Sequence, residues 1–393
     1  MKFRGGVIMF KRIISVLLVS MLLVVPVWAQ EDQEYQDEFQ NGYQEIQDEY
    51  ELQDEYQDPH RIPYLVAVRG ATRNVASVTA LDTTIADLQE LRQGLQDLRE
   101  HMRRTGTHNR YEILQLDRQI GDLSANINSM RISQEMARIS TEFSMRNTMT
   151  TIANTQLDIQ LLESTLEHDR TNLHIAQLRF DAGLISESDL RALDLNVQQR
   201  ESNLAALQVT LATEQQSLNR ILQRSLTGYY YVYHNRELIE LPANMDNHIR
   251  NTVGRQPNVR QRYIARGRAR AVLNLGDAPF GSPARQERER NYNQATREYN
   301  EARRNVESAL RNQYNTLTML LQQNESLAID LQRANERLET VTLNYQAGLA
   351  TPFDVEAARL GILNAELSIE RNLNTFWNAQ FMFEHPFLLL FGS

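Results

Sequence analysis

Cysteine is absent from this 393-residue chain. That excludes disulfides and any lipid attached through a cysteine within these residues, so packing must hold the fold together. Lysine stands only at Lys2 and Lys11, and all further fixed positive charge is arginine. The planar guanidinium fork suits bidentate carboxylate networks between helices, although codon usage accounts for the same bias equally well. Glycine and proline are scarce, at 16 and 9 residues, and stretches with strand periodicity are hard to find. The combination favours an elongated all-α body. Beyond Val27 no apolar run approaches the roughly 20 residues of a membrane-crossing helix. Motifs that carry chemistry are missing as well. His168 and His174 do not share a helix face, and no His-x3-His pair or carboxylate cluster suggests a metal. The expectation is a chain that is not an enzyme and uses no cofactor and no metal.

Charge is present but unevenly placed. Residues 1–29 read as a secretory signal: Lys2, Arg4, Lys11 and Arg12 precede an apolar run from Ile13 to Val27, with a cleavage site at Val27-Trp28-Ala29. Met9 serves equally well as the start. Taking those four cations from the net −9 leaves −13, and residues 30–58 hold twelve Asp or Glu and no Arg, so the remainder is close to −1. This segment repeats a Gln-Asp-Glu-aromatic theme at Gln36 to Phe39, Gln47 to Tyr50 and Gln53 to Tyr56. Crowded like charges with few aliphatics cannot bury enough surface to offset ordering entropy, which predicts a disordered acidic tail; an aromatic-acidic docking segment is the sharper alternative. Six arginines from Arg255 to Arg270 raise nucleic acid as a partner. In an exported chain they pair more naturally with carboxylates on adjacent helices or with the tail, so no nucleic acid is expected.

The most informative stretch is Phe180-Asp-Ala-Gly-Leu-Ile-Ser-Glu-Ser-Asp189, which comes back as Tyr345-Gln-Ala-Gly-Leu-Ala-Thr-Pro-Phe-Asp354. Each copy is a helix stop followed at once by a helix start. Gly183 and Gly348 suit the left-handed conformation that closes a helix, with Leu184 and Leu349 as the accompanying apolar contact. Ser186 and Thr351 suit the next N-cap, Asp189 and Asp354 stand where a capping box needs them, and Pro352 takes the first helical position. After the first tip Leu190, Val197, Leu204, Leu211 and Leu218 recur at sevens; after the second, Val355, Ile362, Ile369, Phe376 and Phe383 do so. Such spacing marks a coiled-coil seam. The repeat distance of about 165 residues is far beyond a solenoid unit, so the chain is a duplicated half.

Helix lengths support the duplication. A helix of about 31 residues from Asn74, ended by Arg103 to Asn109, and one of about 38 from Ser186 together match an uninterrupted helix of about 72 from Arg110. In the second half, about 30 residues from Asp246, broken near Pro257, and about 34 after Pro352 match a helix of about 64 from Ala284. Two short helices stacked end to end therefore span the height of each long one. Between the halves, Leu226 to His234 and Glu237 to Leu241 suggest a short strand or two at mid-height. The divisions expected are 1–29 signal peptide, 30–58 acidic tail, 59–225 first helical repeat, 226–245 linker and 246–393 second helical repeat.

The paired tips, with their aromatic-x-x-Gly-Leu-x-Ser/Thr-x-x-Asp pattern, resemble the outer-membrane efflux (TolC-like) family from roughly Asn74 to Pro386. Gln256-Pro-Asn-Val259 is similar to the segment opening that family's second half. The resemblance implies a homotrimer, four helices per subunit closing into a twelve-helix hollow barrel. That duct passes cargo from an inner-membrane pump by way of a periplasmic adaptor. It implies adaptor docking at Arg179, Phe180, Gly183, Leu184, Ser186 and Asp189, and at Tyr345, Gly348, Leu349, Thr351 and Asp354. It also implies a pore constriction at Asp354, where the position one turn on is Ala357 and leaves a single carboxylate ring. The family's outer-membrane β-hairpins are missing: their slots hold Arg104 to Asn109 and Gly276 to Pro283, too short for two strands of about 9 to 11 residues. The expected product is an exported periplasmic duct associated with the outer membrane, without a membrane span of its own. The apolar run Phe387 to Phe391 is expected to pack on neighbouring helices. A second reading is a coiled-coil scaffold that keeps the fold without conducting. A third, the adaptor itself, would require β-rich segments that the chain does not offer.

Overall fold

The computed structural model describes residues 61–73, 75–106, 109–228, 231–233, 240–275 and 279–390. In chain order they form β1 (Arg61–Pro63), α1 (Tyr64–Arg73), α2 (Ala76–Thr105), α3 (Arg110–Asp181), α4 (Glu187–Ile221) and β2 (Tyr231–Tyr233). There follow α5 (Met245–Thr252), a 3-10 turn (Val253–Arg255), α6 (Pro257–Leu273), α7 (Pro283–Gln346), α8 (Pro352–Glu384) and a closing 3-10 turn (Pro386–Leu390). The expected signal peptide and acidic tail lie outside the described residues.

Two uninterrupted helices set the frame. α3 has 72 residues and α7 has 64, or about 108 and 96 Å at 1.5 Å per residue. α3 opens on a capping box between Asn109 and Glu112, and α7 opens on the Ser282 cap with Pro283 in its first turn. The shorter helices pack beside them as stacked columns. α2 lies along the first part of α3 through Arg99 on Asp117 at 2.8 Å and Gln134 on Asp82 at 2.6 Å. α4 returns along its last part, where Arg170 meets Glu201 at 2.6 Å.

The second column, α6 and α8, sits between the two long helices. α6 touches α3 through Arg260 on Glu135 at 2.7 Å, Gln261 on Ser133 at 3.0 Å and Arg268 on Asn126 at 2.9 Å. It touches α7 through Arg262 on Glu298 at 2.7 Å. Of the six arginines of this segment, Arg260 and Arg262 thus meet carboxylates on adjacent helices, and Arg268 lies 3.8 Å from Asp122. α8 is tied to α3 by amide pairs, Asn378 on Asn147 at 3.1 Å and Asn374 on Asn154 at 2.8 Å. It is tied to α7 by the Gln313 side chain on the Ala379 carbonyl at 2.8 Å. Every cross-section is therefore four helices wide, in the order first column, α3, second column, α7.

The large apolar side chains gather where the columns break. One cluster joins Ile62, Ala67 and Ala71 to Met145, Met149, Ile152, Leu218, Leu222 and Trp377. A second joins Ile249, Val253 and Val259 to Val306, Leu310, Leu317, Phe376, Ala379 and Phe383. Between them Arg146 is buried with its guanidinium 3.7 Å from the Trp377 ring centroid and 4.5 Å from Phe381. It donates to the Trp377 carbonyl at 3.1 Å and to the Tyr64 hydroxyl at 3.0 Å, and that hydroxyl donates to Glu142 at 2.7 Å. Burial pushes the Tyr64 hydroxyl and the Glu142 carboxyl above their ordinary values. Burial first, then the Arg146 charge, lowers His385 to about 4.

Two expectations are corrected here. Helix does not begin near Asn74: α1 precedes it, because Ala67 and Ala71 present a small-residue face to α3 with Tyr64 packed against the same cluster. β2, a strand expected between the halves, pairs in parallel with β1, Arg61 opposite Tyr231. Leu241 is outside any strand; the rest of that expected second strand, at 237–239, lies outside the described residues except for Glu240, which is also not in a strand. The slots between α2 and α3 (106–109) and between α6 and α7 (274–282) remain too short for a pair of membrane strands. Among the described residues no helix is long and apolar enough to cross a membrane. Phe387 is fully buried, and its 3-10 turn packs on α7 and α8.

Candidate functional site

The two tips fold by the same local chemistry. α3 ends with Gly183 at φ 72°, where the Gly183 amide donates to the Phe180 carbonyl at 2.8 Å and the Leu184 amide to the Arg179 carbonyl at 2.8 Å. α7 ends with Gly348 at φ 74°, and its Gly348 and Leu349 amides reach Tyr345 at 2.9 Å and Asn344 at 2.8 Å. These are Schellman closures, which need an αL residue at that point. Each following helix opens on a complete capping box. The Asp189 amide donates to Ser186 Oγ at 3.2 Å, and Asp189 accepts from the Ser186 amide at 3.2 Å and its hydroxyl at 2.7 Å. The Asp354 amide donates to Thr351 Oγ1 at 3.2 Å, and Asp354 accepts from the Thr351 amide and hydroxyl, both at 2.7 Å. Those side-chain and backbone hydrogen bonds hold both carboxyls below the ordinary range.

Capping accounts for the polar residues but not for the leucines. Leu184 is 73% exposed and Leu349 80% exposed. An apolar side chain presented at the apex of a rigid turn gives the fold nothing there and is available to a partner. Arg179, Phe180 and Tyr345 stand on the last turns leading into the apices. The structure thus brings each set of five or six expected residues onto one hairpin tip.

Beside the second tip lies a groove of about 880 Å³ between α3 and α8, lined by Glu167, His168, Asn172 and Arg179 on one side and Phe353, Asp354, Glu356 and Arg359 on the other. The His168 ring stacks on Phe353 at 4.1 Å between centroids. Of the residues expected to dock an adaptor, Arg179, Thr351 and Asp354 line it. His168 and the rest of the α3 wall carry no local signal, because the groove exists only once the two halves pack. Among the described residues no group of three His, Asp or Glu is placed to hold a metal ion.

No protein-family model matches the chain, and no curated protein matches it significantly in sequence. Solved structures do match. VceC of Vibrio cholerae, an outer membrane protein, is 12% identical with a TM-score of 0.58 over 82% of this chain and 95% of that one. The outer-membrane channel OprN is 10% identical at 0.60, over 83% and 89%. The open MtrE outer membrane channel of Neisseria gonorrhoeae is 11% identical at 0.56, over 82% and 88%. The chain therefore has the fold of the TolC-like outer-membrane channels, all-α throughout its long coiled-coil body.

Proposed function

We propose that this chain is one subunit of a trimeric TolC-like duct in the cell envelope, carrying substrates from an inner-membrane pump and its periplasmic adaptor towards the outside. The observation that carries the reading is the pair of uncovered edges on the four-helix slab. On the first column Leu91, Leu98, Leu195 and Val209 are exposed; on α7, Met319 and Ile329 are exposed. Each edge flanks a helix that lacks a neighbour on that side, and joining α7 of one subunit to the first column of the next closes a ring without leaving either edge bare. Three subunits give the twelve helices that the resemblance implies.

In this reading the tips face the adaptor. Leu184 and Leu349 are the apolar anchors, the αL glycines and capping boxes hold them rigid, and Arg179, Phe180, Tyr345, Ser186, Thr351, Asp189 and Asp354 frame them. Asp354 also supplies the constriction, one carboxylate per subunit. Signal-directed export, a periplasmic location and attachment to the outer membrane belong to the same proposal, as do the domain divisions set out from the sequence.

The test is light scattering on residues 30–393 expressed in the periplasm and purified without detergent. A trimer of soluble mass supports the duct, and a monomer sinks it. If the trimer forms but its deletion from the source organism leaves export of dyes and toxic compounds unchanged, the scaffold reading takes its place. The short connections at 106–109 and 274–282 are what keep that reading open.

A further inference from the structure

α7 carries a stripe of arginines at seven-residue spacing: Arg290, Arg297 and Arg304. All three are exposed, and none has a carboxylate partner among the described residues. Their face is fixed by helix geometry. Val306 is fully buried against the second column, and stepping back from it to Arg297 turns about 180° at 100° per residue. Arg290 and Arg297 thus point away from the second column, whereas Arg304 lines a pocket with Asp246 and Arg250 of α5.

α2 on the opposite edge has the complementary charge. Ile85 is buried towards α3, so Asp87 and Glu90 lie about 160° and 140° away from that direction. Both are exposed without a cationic partner among the described residues, and exposed Asp97 receives the Gln93 amide at 2.9 Å. No Arg occurs between Ala76 and Leu91.

A rotation axis parallel to the helices preserves height, so the register within one subunit predicts the register between subunits. Arg297 is next to Glu298, which meets Arg262; Gln261 meets Ser133; and Gln134 meets Asp82. Arg297 is therefore level with Asp87 to within about one helical turn. By the same steps, Arg288 near the Leu275 carbonyl, Arg268 on Asn126 and Arg99 on Asp117 bring Arg290 near the level of Leu95, within about one helical turn of Asp97.

We propose that neighbouring subunits join through an ion-pair seam in which Arg290 and Arg297 on α7 of one copy face Asp87, Glu90 and Asp97 on α2 of the next. The proposal rests on the closed-ring reading and adds its recognition chemistry. The separation of signs also selects the right join. A two-fold α7 to α7 contact would set arginine against arginine, whereas the head-to-tail contact that closes a ring pairs opposite charges.

The absence of cysteine makes the test direct. The full mature chain carrying Asp87→Cys with Arg297→Cys should give a covalent ladder ending at trimer on a non-reducing gel, since the two positions lie on opposite edges of one subunit and only a neighbour brings them within disulfide reach. Separately, Arg290→Glu with Arg297→Glu should weaken assembly at least roughly tenfold at low salt. Adding Asp87→Arg and Asp97→Arg should restore it, with helicity by circular dichroism unchanged throughout. A wild-type trimer that gives no ladder and ignores charge reversal overturns the seam and leaves the ring standing. A ladder ending at dimer overturns the head-to-tail join, and a monomeric wild type overturns both.

Discussion

The tips and the mid-height belt solve opposite problems. At the tips nearly every hydrogen bond closes within six residues of sequence, the side chains are exposed, and the two copies repeat each other almost bond for bond. In the belt the important contacts are buried and distant, with Arg146 reaching the Trp377 carbonyl across 231 residues. Among the described residues no second copy of that arrangement is built from the other half. The difference teaches where each kind of specificity is stored. Local capping makes a rigid presenting surface that is cheap to duplicate, while the belt registers two halves against one another and can exist only once.

The contrast is broken most severely at Arg146. Arg146→Ala should cost about 3 kcal/mol or more in urea unfolding, because it strips a cation from the Trp377, Phe381 and Tyr64 rings and leaves half-buried Glu142 without its neighbouring charge. Next is a pH effect confined to the belt. His385 is held at about 4 against an ordinary 6.5, so the folded state favours the neutral ring. Its contribution is complete above about pH 6.5 and is lost as the pH falls to about 4, amounting to about 3 kcal/mol. Glu142 acts in the opposite sense, favouring the folded state below the ordinary carboxylate range and fading as pH rises through its raised value. His385→Phe should flatten the acid limb in melts taken between pH 4 and 7, and an unchanged limb would assign it to other groups.

Smaller effects belong to the tips. Thr351→Ala should cost about 1 kcal/mol, read as faster hydrogen exchange in the first turn of α8 with the global midpoint nearly unmoved. The smallest stability change and the sharpest functional one should come from Leu184→Ser with Leu349→Ser. Stability should stay within about 0.5 kcal/mol of wild type, while adaptor-dependent export is lost; full export would reduce the tips to helix caps.

The same contrast explains what could be read from the chain. The 72- and 64-residue helices were legible because nothing between Arg110 and Asp181, or between Pro283 and Gln346, both breaks a helix and finds compensation. Both capping boxes were legible because their donors and acceptors lie three residues apart. The packing of α1 on α3, the pairing of β1 with β2, the box around Arg146 and the groove joining His168 to Phe353 were not. Each depends on which helix lies beside which, and seven-residue spacing announces that a seam exists without naming its partner. Leu184 and Leu349 at the tips sit between these cases. Their position was evident, but only their exposure separates presentation from capping.

Seen as a load-carrying beam, the slab has a joint. Two of its four struts are spliced near the same height, between α4 and α2 in one column and between α8 and α6 in the other, while α3 and α7 run through. A beam is most compliant in bending where its members are cut. α1 and α5 are clamped across those splices like a collar, with Phe376, Trp377 and Phe383 as filler. Flexure of the long body should therefore be resisted at the belt by side chains and elsewhere by continuous backbone, leaving the tips as the ends of a stiff lever.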